Sequence, residues 1–213
     1  MPVRLKVPLV HQPPKTPWCG PACAAMVTRY YGVRASIDTI ARELPILPTG
    51  IDMAMLGAYF VRKGFRVTLK LWYAQFQPRF RWLDSSRNEE AIRNALRTAR
   101  RSGDDMYAWH AARLAKFVQC GGRLVMDSVQ QRDIIKELRS GRPVILNYDH
   151  RTLRGYSRIQ KGHYVVIVGS AGKKFLANDP ADRSHAQPVG ISAEQLLFAC
   201  HIWKGGALFV RPA

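Results

Sequence analysis

The chain has 213 residues, 47% of them hydrophobic, with 33 Lys and Arg against 15 Asp and Glu and a formal net charge of +18. That apolar content suits one compact domain with a sizeable core, and no run approaches the length of a membrane-spanning helix. Four cysteines (Cys19, Cys23, Cys120 and Cys200) are too few for a disulfide scaffold of this length, and with no Cys-x-x-Cys pair neither a metal nor another cofactor is expected.

Met1 to Val10 carries no sustained apolar stretch and no cleavage signature, so the expected compartment is the cytoplasm. The positive charge draws anionic partners: an acidic peptide, a membrane surface or nucleic acid. The arginines are spread along the chain, as on a solvated surface, so nucleic acid is not the favoured partner.

Val3 to Val10 partly alternates and predicts a short strand. His11-Gln12-Pro13-Pro14-Lys15-Thr16-Pro17 is a proline-rich loop. Cys19 to Tyr31 reads as a helix, with Ala22, Cys23, Met26, Val27 and Tyr30 at helical spacing, Pro21 in the first turn and Gly32 as terminator. Ser36 opens a second helix that ends near Leu44-Pro45. Asp52 caps a third, which runs to Gly64. Phe65 to Leu71 alternates as a strand.

Trp72 to Asp84 is aromatic and irregular. Glu89 to Arg101 and Trp109 to Val118 read as helices, and Ser128 with Gln131 forms a capping-box pattern for a helix over Val129–Arg139. Strands are predicted at Val144–Tyr148, Tyr164–Val168, Lys174–Ala177 and Ala207–Val210, with a helix over Ser192–Cys200. Helices first and then mainly strands indicate an α+β fold.

Four residues carry candidate chemistry. Cys19 falls at a helix N-terminus, a setting that favours the thiolate. Its position after a proline-rich loop argues against a buried structural cysteine, and Gly20 gives a substrate carbonyl room to approach. His163 opens the apolar run Tyr164-Val165-Val166-Ile167-Val168, expected to be buried on both faces, while the imidazole stays near solvent at the strand's mouth.

A three-residue hairpin loop over Ser170-Ala171-Gly172 pairs Gly169 with Lys173 and sets His163 directly opposite Asp179. A carboxylate there fixes the imidazole's tautomer and stabilises its charged form. A one-residue slip would break this pairing. Gln12 and the Cys19 N–H are candidate oxyanion donors. Cys23, one turn further in, reads as core.

The segments Gln12…Cys19-Gly20-Pro21-Ala22-Cys23-Ala24-Ala25-Met26…Tyr30-Tyr31-Gly32, Gly141-Arg142-Pro143-Val144-Ile145, Gly162-His163-Tyr164 through Gly169 and Asn178-Asp179-Pro180-Ala181 resemble the bacteriocin-leader-processing cysteine peptidases of the papain-like group. The resemblance implies Cys19 as nucleophile, His163 as base, Asp179 as orienter and Gln12 as oxyanion donor. It also implies a papain-like fold, whose helical N-terminal part packs on a mainly antiparallel C-terminal sheet. The Gln12 to Cys19 gap is slightly long for the pattern. Residues 73–122 have no counterpart and read as a helical insertion in a single domain, 1–213. No transporter segment accompanies the domain, so the chain is more similar to the stand-alone bacterial members.

Those features point to a thiol peptidase acting on a peptide or protein substrate through a thioester. An acyltransferase or amidase using the same thiol is a second reading, and a non-catalytic module binding peptide or nucleic acid a third. Arg151, Arg154, Arg158 and Lys161 form a basic loop before His163, read either as a substrate-contacting flap or as a solvated connection. Arg93, Arg97, Arg100 and Arg101 read as an exposed basic helix face. His110, His150, His185 and His201 lack metal-ligand spacing, and Cys200-His201 reads as core.

Overall fold

The computed structural model describes residues 2–72, 83–84, 90, 93–94, 97–98, 101, 105–154, 162–184, 188–202 and 205–213. Its helices are α1 (Cys19–Tyr30), α2 (Ile37–Glu43), α3 (Met53–Arg62), α4 (Asp105–Gln119), α5 (Gln131–Arg139), α6 (His150–Arg154) and α7 (Ala193–Ile202). The strands are β1 (Val3–Arg4), β2 (Arg66–Leu71), β3 (Leu83–Asp84), β4 (Arg123–Met126), β5 (Val144–Asp149), β6 (Gly162–Ala171), β7 (Lys174–Asn178), β8 (Val189–Ser192) and β9 (Gly206–Arg211). Among the described residues they form one sheet in the order β3-β4-β2-β9-β5-β6-β7-β8, with β1 also beside β6. Only β2 and β4 run parallel; the other pairs are antiparallel.

The fold is α+β, but both faces of the sheet are covered. Tyr164, Val166 and Val168 of β6 join the core cluster that holds α1, α3 and α4. Val165 and Ile167 join a second cluster with residues of α5 and α7. Successive side chains of a strand point to opposite faces, so this double covering is why β6 is a continuous apolar run. The sheet also draws β2 and β4 from the middle of the chain, so it is not built from the last third alone. Leu114 and Phe117 of α4 pack into the first cluster.

Local signals set most helix ends. Ser36 Oγ accepts from the Thr39 N–H at 3.0 Å, and Asp52 Oδ1 accepts from the Ala54 N–H at 2.8 Å. Each satisfies a donor that the first helical turn leaves without an intrahelical acceptor. Gly32 follows α1 at φ +81°, in the left-handed region where a Cβ is disfavoured.

Several boundaries differ from the sequence expectation. The strand expected over Val3–Val10 pairs only at Val3 and Arg4, opposite Ser170 and Gly169. From Ile167 onward β5 takes the same edge of β6, so the N-terminal segment must leave the sheet. Its last ladder bond is Leu5 N–H to Val168 O at 2.7 Å. A Cβ at Gly169 would lie 2.3 Å from Val3 O, so glycine is what lets β1 approach.

The cap of α5 is not Ser128 but Gln130, whose N–H donates to Asp133 Oδ2 at 2.8 Å. The Ser128 hydroxyl is instead held by Gln130 Nε2 at 2.6 Å. Helix α4 starts at Asp105, ahead of the expected Trp109, and β4, β8 and α6 had no sequence signal. Of the helix expected over 89–101, residues 90, 93–94 and 97–98 are helical, and Arg93, Arg97 and Arg101 are exposed. Tyr73, Phe76, Arg79, Phe80, Arg81, Trp82, Arg100, Arg158, Lys161 and His185 lie outside the described residues.

Glu137 on α5 is buried between Arg142 and Arg211, each with a 2.6 Å contact. Burial alone would raise its pKa. The hydrogen bonds from Arg211 and Arg142 outweigh that and hold the carboxyl below its ordinary value.

Candidate active site

Cys19 is the first residue of α1, after Trp18 at the N-cap. The N–H groups of this first turn point out of the helix end. Contrary to expectation, the thiol is buried, at 9% exposure. Ile51, from the α2–α3 connection, packs on the neighbouring Gly20: a Cβ there would lie 2.4 Å from Ile51 Cγ2, and Ile51 O accepts from the Tyr164 hydroxyl at 2.9 Å. Gly20 therefore makes room for Ile51, a packing role the sequence did not reveal. Cys23 is fully buried. Burial pushes its thiol well up, and the charges of Cys19 and Asp179 push it further.

His163 is also buried, at 2% exposure, and not near solvent. Its Nε2 lies 2.8 Å from Asp179 Oδ1, and Cys19 acts on the same ring. Burial, the largest single influence, pulls the imidazole pKa down. The bonds to Asp179 and Cys19 and the charges of both reverse this and hold it up at about 10.

The route by which Asp179 reaches His163 differs from the expected one. The hairpin turn is two residues, Gly172-Lys173, with Ala171 opposite Lys174 and Gly172 at φ +58°. Pairing then runs Ser170–Phe175 and Gly169–Leu176, Val168 is bulged, and it resumes as Ile167–Ala177 and Val166–Asn178. One step on, Asp179 comes level with Val165 and not with His163.

The two side chains are thus diagonal neighbours on one face, within reach of a long ring. This is why the distal Nε2 makes the bond. Without the bulge, Asp179 would come level with Val166, on the opposite face of β6 from Val165. Asn178 does face the other way, and its Nδ2 donates to Val7 O at 3.1 Å.

Gln12 sits beside this turn. Its N–H donates to Pro180 O at 3.0 Å, its carbonyl accepts from Arg183 Nη2 at 2.8 Å, and its Nε2 donates to Thr16 O at 2.8 Å. The turn that presents Thr16 O contains Lys15 at φ +61°, a conformation non-glycine residues rarely adopt.

Tyr148 and His150 were not anticipated. Tyr148 pairs with His163 across β5–β6, with ring centroids 5.7 Å apart and nearly perpendicular planes. His150 lies 5.4 Å from His163, also edge to face. Only the β5–β6 register, a non-local property, could have found them. The other weighed residues are elsewhere. Cys200 is core, its thiol pushed up to about 12 by burial. His201 is exposed, and His110 contacts Asp52 at 3.5 Å. Among the described residues no group of three or more His, Cys, Asp or Glu side chains could hold a metal ion.

Solved structures of similar fold are peptidases. One is a double-glycine-motif protease from an AMS/PCAT transporter in complex with a leader peptide, with TM-score 0.53, 17% identity, and coverage of 100% of this chain and 98% of that one. Another is the peptidase domain of Streptococcus ComA, a bifunctional ABC transporter of a quorum-sensing pathway, at 0.50 and 19%, covering 96% and 98%. A third is a C39-like peptidase from Bacillus anthracis, at 0.51 and 12%, covering 100% and 99%. No curated protein matches the chain in sequence. The fold is that of the papain-like cysteine peptidases. The chain belongs to the Peptidase_C39-like family, whose model matches residues 4–196, and it is a cysteine peptidase.

Proposed function

We propose that this peptidase cleaves peptide bonds through Cys19, His163 and Asp179, with Gln12 and the Cys19 N–H as oxyanion donors. The observation that carries the reading is the buried His163, whose Nε2 lies 2.8 Å from Asp179 Oδ1 and whose charge is favoured by Cys19 as well as by Asp179. With its pKa held up at about 10, His163 carries a proton at neutral pH. Cys19 attacks the substrate carbonyl carbon as the thiolate. The oxyanion is held by the helix-terminal N–H and by the second Gln12 Nε2 hydrogen, the first being engaged by Thr16 O.

The C–N bond breaks as His163 gives its proton to the leaving amine, leaving a thioester on Cys19. His163 then takes a proton from water, whose oxygen attacks the thioester, and the acid product leaves as the Cys19 thiolate and the protonated His163 are restored. Asp179 fixes the imidazole's orientation and stabilises its charge.

We assign the substrate to extended peptides with acidic side chains. A groove of about 460 Å³ beside Asn178 is lined by Arg4 and Lys6 with Leu5, Val7, Leu9 and Pro188, which suits such a chain. A leader-type peptide, as bound by the similar transporter protease, fits this class. The four cysteines are free, in keeping with a reducing cytoplasm. We read residues 1–213 as one domain with an insertion at 73–122.

The test is incubation with a peptide library and mass spectrometry of new termini. Cleavage is expected with the native chain and not with Cys19→Ala, and iodoacetamide is expected to label Cys19 ahead of the other three thiols. Cleavage that survives Cys19→Ala, or equal labelling of all four thiols in the folded protein, overturns the reading.

A further inference from the structure

The two loops that flank the candidate site are 160 residues and more apart in sequence, yet they are joined at Gln12. Its backbone N–H is bonded to Pro180 and its backbone carbonyl to Arg183. Both partners belong to the loop that begins with Asp179. This loop is stiffened by two successive Asx turns: Asp179 Oδ1 accepts from the Ala181 N–H at 2.9 Å, and Asp182 Oδ1 accepts from the Ser184 N–H at 3.0 Å. Arg183 projects from the second turn. Its guanidinium reaches back 171 positions to the Gln12 carbonyl.

Gln12 needs such a hold. Its side-chain Oε1 is buried with no hydrogen-bond partner. The acceptor for its Nε2, Thr16 O, is presented by a turn that keeps Lys15 in the left-handed region. Proline-rich chain on the C-terminal side gives few backbone donors to anchor it. The charge-assisted bond from Arg183 is thus one of two backbone anchors that fix where the Gln12 amide points.

We propose that Arg183 is a positioning residue: through the Gln12 backbone it sets the aim of the oxyanion donor, so that one loop orients both His163, by Asp179, and Gln12, by Pro180 and Arg183. This rests on the reading of Gln12 as the donor. A donor off by an ångström loses most of its effect, because it must meet the oxygen where charge develops.

Two thiol probes separate this role from a structural one. Acylation by p-nitrophenyl acetate passes through a tetrahedral oxyanion. Alkylation by iodoacetamide needs the same thiolate but forms no oxyanion. Gln12→Ala is expected to slow acylation by on the order of 10²–10³, and Arg183→Met by on the order of tenfold as a partial loss of the same donor, with Cys19 alkylation unchanged in both. Arg183→Lys is expected to recover part of the rate, and Arg183→Met to add nothing in the Gln12→Ala background.

Wild-type acylation in Arg183→Met beside a slow Gln12→Ala overturns the clamp and leaves the donor reading standing. Equal slowing of both probes in Arg183→Met shows general damage and also overturns the clamp. Wild-type acylation in Gln12→Ala removes the donor reading and the clamp together.

Discussion

Asp179→Asn tests the electrostatics of the site with little change in shape. The same oxygen, Oδ1, takes both the His163 ring and the Ala181 N–H. An asparagine can place its carbonyl oxygen there and keep these two bonds while the charge is lost. In the native chain the imidazole is lifted from 6.5 to about 10, a preference for the charged form of roughly 5 kcal/mol. Asp179 and Cys19 share this lift. Removing one close opposite charge lowers such a pKa by on the order of 1–3 units.

At pH 9 the native imidazole is roughly 90% protonated, and a fall of about two units leaves roughly 10%. The acid that protonates the leaving amine is then about tenfold scarcer, while at pH 6 it is scarcely depleted. The assay is kcat/KM for a cleaved peptide across pH 5–11, with Cys19 alkylation followed in parallel. The alkaline limb is expected to move down by more than one unit in Asp179→Asn. A limb that stays within a few tenths of the native position would refute the reasoning.

Stability follows the same sign. The folded His163 pKa lies above its unfolded value, so its contribution is complete below about pH 6.5 and is lost as pH rises through about 10. Chemical denaturation of the native chain at pH 7 and pH 10.5 is expected to show that loss, and the difference should shrink in Asp179→Asn. Glu137→Ala removes the acceptor shared by the partly exposed Arg142 and Arg211, and should cost about 1.5–3 kcal/mol in urea denaturation.

Because the Glu137 pKa is depressed, its contribution is present above the unfolded carboxylate pKa and is lost as pH falls through the folded one. Gly20→Ala drives a methyl group against Ile51. It should cost about 1–3 kcal/mol and slow Cys19 alkylation by displacing the start of α1; an unchanged melting temperature and rate would show that the Ile51 packing does not matter.

The covering of both sheet faces could be read in advance only from Tyr164-Val165-Val166-Ile167-Val168, where no polar residue interrupts the run. Caps at Ser36 and Asp52 were equally plain, because a side chain and the N–H it receives are two or three residues apart. Elements as short as β4 and β8 were not, since four residues carry too little periodicity. Burial of Cys19 and His163 was misjudged for a related reason. Tyr148 and His150, whose rings lie against His163, and Ile51, which packs on Gly20 beside Cys19, arrive from elsewhere in the chain.

What the sequence determined by itself was the chemistry available and its local stage: a cysteine at the start of α1, a histidine at the mouth of β6, and a carboxylate just past β7. What the tertiary structure alone decided was how they meet. The expected register and the one found differ by two residues, and an even shift keeps side chains on the same face, so the pairing of His163 with Asp179 was reached by a different path. A two-residue turn by itself would have set Asp179 on the wrong face, and the bulge at Val168 restored it. Local propensity fixes elements within a few residues. The length of a turn, the place of a bulge and the docking of Gln12 on the loop after Asp179 depend on packing between strands and loops far apart in sequence, where no local pattern records them.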